Sequence, residues 1–201
     1  MRRLIDGVRL FVLVPAVLAV SATPAAAQTG KTTIGFTAGS GIALTENLKD
    51  YTHADLALQG HVTVGLVRSL AIRGEIGQTR FKVIDTIDLF CPDCRLDVDH
   101  MSVGVQYGGF GDEGALGLSN ARVLPYGFVA LGWYSLGGQL AGDLDFPSKR
   151  QVGFNAGFGI NVRVNEHFGI QADVHLHSVS FDEGLDTDYW IAPQGGIWVS
   201  F

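Results

Sequence analysis

The chain has 201 residues, with Lys+Arg 14 against Asp+Glu 20 and a formal net charge of −6, a balance without any basic stripe that argues against a nucleic acid partner. Mean hydropathy is positive at +0.24, yet beyond residue 27 each apolar stretch is broken by Gly or a charge within a few residues, so no spanning helix is expected. Apolar overall but without an apolar helix is the pattern of alternating strands, and the 27 glycines and 10% aromatic residues fit a closed β-barrel.

Met1 to Ala27 reads as a cleavable signal peptide. Arg2, Arg3 and Arg9 form the charged start, Leu10 to Val20 the apolar middle, and Ala25-Ala26-Ala27 the small-residue cleavage site. Export by the general secretion route is expected, with residues 28–201 as a single domain. Three Arg and Asp6 leave with the peptide, so the remainder carries 11 basic and 19 acidic residues, about −8 in formal charge.

The remainder divides into eight expected strands: 32–39, 57–67, 70–81, 98–108, 123–134, 152–164, 168–177 and 189–201. The sixth and seventh carry the clearest signal. From Val152 to His177 the even positions are apolar (Phe154, Phe158, Ile160, Ile170, Val174 among them), and the odd ones are Gly or polar (Asn155, Asn161, Arg163, Gln171, Asp173, His175, His177). A period of two sends alternate side chains to opposite faces, so this is a hairpin with one apolar and one polar face. Each arm is about ten residues, enough to cross a bilayer when tilted. In strand three Ile72 and Ile76 face outward, Arg73 and Glu75 inward, and Gln78 to Phe81 falls out of phase, where a bulge or the end of the span is expected. Strand five is apolar on both parities, which leaves its faces unassigned. Connections are expected to be long after strands one, three, five and seven, short after two and six, and intermediate after four, as in transmembrane barrels.

Strand eight ends the chain on Phe201, preceded on the same face by Val199, Ile197 and Ile191. This resembles the C-terminal signature of bacterial outer-membrane barrels, and the resemblance implies that the barrel assembly machinery reads Phe201 as its signal. The run Pro125-Tyr126-Gly127-Phe128-Val129-Ala130-Leu131-Gly132-Trp133-Tyr134 and the hairpin Gly157–Val162 with Phe168–Val174 resemble the small outer membrane protein A-like eight-stranded barrels. The expected fold is therefore all-β: an eight-stranded antiparallel transmembrane up-and-down barrel in the bacterial outer membrane. Its partners would be outer-membrane lipids and lipopolysaccharide, the assembly machinery, and an extracellular ligand at the loops. Such motifs specify fold far better than activity.

An eight-stranded barrel has an interior filled by side chains. Arg73, Glu75, Arg163, Asp173, His175 and His177 are expected to form a paired polar network that plugs it, since buried charges must be paired. A narrow ion path along the same residues is the alternative. His175 and His177 share a face at i and i+2, but two ligands are too few for a metal site. The outer-membrane lipid A deacylases are also small barrels and use a His-x-Ser pair on one strand face. Here Ser178 has the opposite parity from His177 and no His-x-Ser occurs, so no catalytic site is expected, and no cofactor or metal. Cys91 and Cys94, the only cysteines, are expected to form a local disulfide in an oxidising compartment. Asp85, Asp88, Asp93, Asp97 and Asp99 read as a solvated acidic loop, or as ligands for divalent cations that bridge lipopolysaccharide.

Overall fold

A computed structural model describes residues 32–67, 69–84, 94–109, 122–139, 149–180 and 187–201. Eight strands, β1 (Thr32–Ala43), β2 (Thr52–Val67), β3 (Leu70–Val83), β4 (Arg95–Gly108), β5 (Val123–Gln139), β6 (Lys149–Arg163), β7 (Phe168–Val179) and β8 (Asp188–Ser200), pair in chain order, and β8 closes on β1. Every pairing is antiparallel. Closure leaves no strand edge unpaired, which a sheet in lipid requires. Among the described residues no helix is long and apolar enough to cross a membrane; a barrel crosses with its strands. The expected signal peptide, residues 1–27, and Cys91 of the expected disulfide lie outside the described residues.

The start of β1 and the last residue meet at one rim, where Phe201 N–H donates to the Thr32 carbonyl at 2.9 Å. The strand ends flanking 68–69 and 164–167 share that rim, and those flanking 44–51, 84–94, 140–148 and 180–187 lie at the other, outer rim. The connection 109–122, expected to be intermediate, is the longest at 14 positions, so the alternation of lengths holds only in part. The reason is at the outer rim, where β1, β2, β3 and β5 run several residues further than alternating polarity alone indicates, and so shorten the connections there. One outer connection holds the single turn α1 (Glu46–Lys49), whose Leu48 is buried and whose Leu48 carbonyl accepts from Thr52 Oγ1 at 2.6 Å.

Of the two expectations for Gln78 to Phe81, the bulge does not occur on β3, and the end of the apolar span fits. Burial alternates through β3 without interruption, with Arg73, Glu75, Gly77, Thr79 and Phe81 all inward. What changes there is polarity. Near the outer rim Gln78, Arg80 and Lys82 point outward while Phe81 points in, the reverse of the pattern below. The register irregularity sits instead on β2, between Ala54 and Ala57 opposite β3, and a second lies between Gly65 and Val67. The faces of β5 are now assigned: Leu124, Tyr126, Phe128, Ala130 and Tyr134 are buried in the lumen, and Val129, Leu131 and Trp133 are exposed on the wall.

Both parities of β5 are apolar because its lumen face is aromatic, and a nearby strand makes room. Tyr126 is the register partner of Gly159 and Phe128 of Gly157. An added Cβ at Gly157 would lie 2.5 Å from the Phe128 ring, so no other residue fits without displacing that ring. The same pairing of a ring with a glycine recurs as His61 with Gly35, His100 with Gly77 and Trp198 with Gly169. Five glycines thus serve to seat lumen rings.

Candidate functional site

Among the described residues, ionisable side chains gather out of solvent in the lumen, and it is layered. At its middle Arg73 and Glu75, two residues apart on β3, point the same way and pair directly. Arg73 Nη1 also donates to Gln106 Oε1 at 2.8 Å. Its guanidinium lies 4.5 Å from the Phe128 ring centroid and 5.5 Å from that of Tyr126, within cation–π range. Glu75 Oε2 accepts from Asn155 Nδ2 at 2.8 Å and from Ser102 Oγ at 3.2 Å. Both charges are almost wholly removed from water, so their direct pairing is what makes them tolerable, with only Arg73 Nη2 of the pair left without a hydrogen bond among the described residues.

On the facing strand, Asp173 accepts from Tyr126 Oη at 2.7 Å and from Gln171 Nε2 at 3.3 Å. His175 Nε2 lies 3.2 Å from Asp173 Oδ1, an ion-pair distance once the imidazole carries a proton. His177 Nδ1 lies 3.1 Å from Tyr134 Oη. The His177 ring stacks on Trp190 at 4.8 Å and 9°, and His175 stacks on His177 at 5.9 Å and 14°. His100 meets His177 at 4.9 Å and Tyr134 at 5.5 Å. Above this ring stack an apolar cluster of Leu48, Phe81, Val98, Tyr134, Val179 and Trp190 fills the outer mouth.

Five of the six residues expected to plug the lumen are gathered here: Arg73, Glu75, Asp173, His175 and His177. Arg163 is half-buried in the last register position of β6, opposite Gly169, toward the inner rim and away from the Arg73–Glu75 pair. Four contributors that parity alone does not bring together with them are Ser102, Gln106, Tyr126 and His100. Their signal is the cross-strand register, in which Ser102 stands opposite Glu75 and His100 opposite Gly77. His100 points into the lumen. Cys94 is buried just before β4; its expected partner is outside the described residues.

No His–Ser pair forms on β7, because His177 is fully buried in the lumen while Ser178 lies on the outer face. Among the described residues no three His, Cys, Asp or Glu side chains converge as metal ligands. The arrangement binds charge to charge and ring to ring inside a closed wall.

The wall itself is apolar across the span, with Ile72, Val103, Val105, Val129 and Leu131 among its exposed residues, and it carries Trp133 and Tyr107 near the two rims. Outward rings near both rims are the aromatic girdles of a barrel in a bilayer.

Comparison with known proteins agrees. No match is found among curated proteins. The Neisserial surface protein A has a similar structure, with a TM-score of 0.60 at 15% identity over 86% of this chain and 99% of that one. OprG of Pseudomonas aeruginosa gives 0.56 at 14% identity over 86% and 96%. Ail, the attachment invasion locus protein of Yersinia pestis, solved with the heparin analogue sucrose octasulfate, gives 0.55 at 15% identity over 86% and 99%. At these identities the likeness establishes the fold. The sequence profile of the outer membrane protein beta-barrel domain matches residues 12–192, which places an eight-stranded barrel in the bacterial outer membrane, and the chain belongs to that family.

Proposed function

We propose that this is a non-catalytic outer-membrane barrel with a closed lumen, which acts through its outer end by contacting ligands outside the cell. The observation that carries the reading is the filled interior. The Arg73–Glu75 pair, its hydrogen-bonded neighbours and the apolar cluster under Leu48 occupy successive levels of the lumen. Eight strands enclose only enough room for side chains, so a filled lumen carries no solute. Catalysis needs a nucleophile and base within reach of each other and of a substrate; on β7 the wall separates Ser178 from His177. The part of the molecule left to meet partners is the outer rim with its four connections, where β3 and β4 project Arg80, Lys82, Arg95, Asp97 and Asp99 outward. A relative seen with a heparin analogue supports an extracellular ligand as the partner class.

Three measurements test this. Purified protein in a planar bilayer at neutral pH should give no conductance steps above the lipid baseline; steady steps would overturn the closed lumen. Lipid A from cells with and without the protein should give the same mass spectrum, and a lost or added acyl chain would make it an enzyme. Cells carrying the protein should adhere more strongly than deletion cells to immobilised extracellular glycans or matrix proteins, and equal adhesion across the set would remove the surface role.

A further inference from the structure

The lumen holds an unusual balance of charge. Its fully buried ionisable groups are Arg73 and Glu75 on β3, Asp173 on β7, and four histidines: His61 on β2, His100 on β4, His175 and His177 on β7. β5 contributes the phenols of Tyr126 and Tyr134. β1 and β8 face the lumen with Thr33, Thr37, Trp190, Gln194 and Trp198, and β6 with Asn155 and Asn161, Arg163 being half-buried toward the inner rim. With neutral imidazoles the buried wall carries one positive charge against two negative. With all four protonated it carries five against two.

The geometry allows one of those protons and not the rest. A proton on His175 faces Asp173 at 3.2 Å and is compensated there. Glu75 is already engaged by Arg73, Asn155 and Ser102, so it has no free side for a second imidazolium. His100 and His177 lie 4.9 Å apart, and His177 is also stacked against His175 and Trp190. Protonating His177 or His100 after His175 therefore places like charges within one ring stack, inside a wall that excludes water. The stack sits directly under the apolar cluster of the outer mouth, with Tyr134 and Trp190 belonging to both. Repulsion within the stack loosens the cluster above it.

We infer that His100, His175 and His177 form an acid-responsive gate, whose protonation opens the lumen from the outer side and leaves a positively charged path that passes small anions. The inference rests on the closed lumen proposed above. Histidine suits the role because an imidazole admitted to water changes charge between about pH 5 and 8, so acid favours whichever state of the lumen lets water reach the stack.

The test is single-channel recording on the refolded full chain at about pH 7.5 and about pH 4.5, on either side of the range in which an imidazole reached by water gains its proton. The expected result is silence at the higher pH, anion-selective steps at the lower, and closure again when neutral pH is restored. His100→Gln with His177→Gln should strongly reduce the acid-induced open probability, because both like charges leave the ring stack. His53→Gln and His167→Gln, exposed at the two rims, should leave it unchanged. Each variant is first shown to be folded by heat-modifiable migration on a gel.

A second readout does not depend on those variants. Protonated imidazole quenches an indole stacked on it, so acid should dim the wild-type tryptophan emission, and Trp190→Phe should abolish that change. Silence at both pH values, cation selectivity at low pH, or emission that ignores acid would each overturn the gate while leaving the closed lumen standing. Conductance already present at about pH 7.5 would overturn both readings.

Discussion

The middle of the barrel and its outer rim use the same strands with opposite polarity. In the middle, the outward residues of β3 and β4 are Ile72, Ile76, Met101, Val103 and Val105, and the inward ones are Arg73, Glu75, Ser102 and Gln106. Toward the outer rim, the outward residues on the same two strands are Gln78, Arg80, Lys82, Arg95, Asp97 and Asp99, and Phe81 and Val98 point in. Alternation never breaks; what changes is the medium outside. Lipid requires an apolar exterior and leaves the lumen to the polar groups. Beyond the headgroups water takes the exterior, and the rim reverts to the arrangement of a soluble barrel, with an apolar core and a wet surface that carries the Arg80–Asp97–Arg95 ion pairs at 3.1 and 3.2 Å.

Substitutions that respect the alternation but exchange the two media should break the comparison in graded steps. The largest effect is expected in the polar middle. Glu75→Leu strands the Arg73 charge and should lower unfolding stability in lipid by about 3–5 kcal/mol, and adding Arg73→Met should recover most of that loss. If the double variant is no better than the single one, the pair is not the reason for the cost. Next comes the wall. Val103→Lys puts a charge against mid-span lipid and should cost about 2–4 kcal/mol in reversible unfolding from vesicles, with a penalty that varies with bilayer thickness. A penalty that ignores the lipid would mean Val103 does not face it.

Smaller again is the lumen packing. Gly157→Ala drives a methyl into the Phe128 ring and should cost about 1–3 kcal/mol. Gly127→Ala on the adjoining strand, where an added Cβ meets only the Gly157 carbonyl at 3.7 Å, should be nearly neutral. Equal costs at the two glycines would contradict the ring seating. The smallest change is expected at the rim. Asp99→Lys lies on the same face of the same strand as Val103, yet should cost only about 0–1 kcal/mol because that depth is wet. A loss as large as that of Val103→Lys would place the rim inside the membrane and end the comparison.

The same comparison explains what could be read from the chain alone. Strand number, order and facing were legible wherever polarity tracks alternation, as in the 152–177 hairpin and at Phe201. At Gln78 to Phe81 polarity inverts while alternation continues, so equating inward with polar leaves a bulge and the end of the span as equal readings, and only the second fits. β5 resisted assignment because its inward rings, Tyr126 and Phe128, depend on glycines some thirty residues away in the chain, and no local pattern records that. The site was legible in the same proportion. Parity pointed Arg73, Glu75, Asp173, His175 and His177 inward, but their partners Ser102, Gln106, Tyr126 and His100 follow from register, a non-local property set by pairing and turn geometry.

The seating of rings on glycines bears on how the chain finds its pairing. A strand that slips by two residues keeps every side chain on its proper face, so the polar pattern does not oppose the error; only a one-residue slip is punished. The rings do oppose it. Displace β5 on β6 by two, and Phe128 meets Asn155 or Tyr126 meets Asn161. The same displacement sets His61 against Thr33 or Thr37, His100 against Glu75 or Thr79, and Trp198 against Gln171 or His167. These pairs lie on the seams β1–β2, β3–β4, β5–β6 and β7–β8, the hairpins joined by the outer connections of eight or more residues. A two- or four-residue turn fixes the registers of β2–β3 and β6–β7 without help. Where the loop is too long to dictate the alignment, a ring and its glycine act as a notch and key, and an assembling hairpin is proofread one seam at a time.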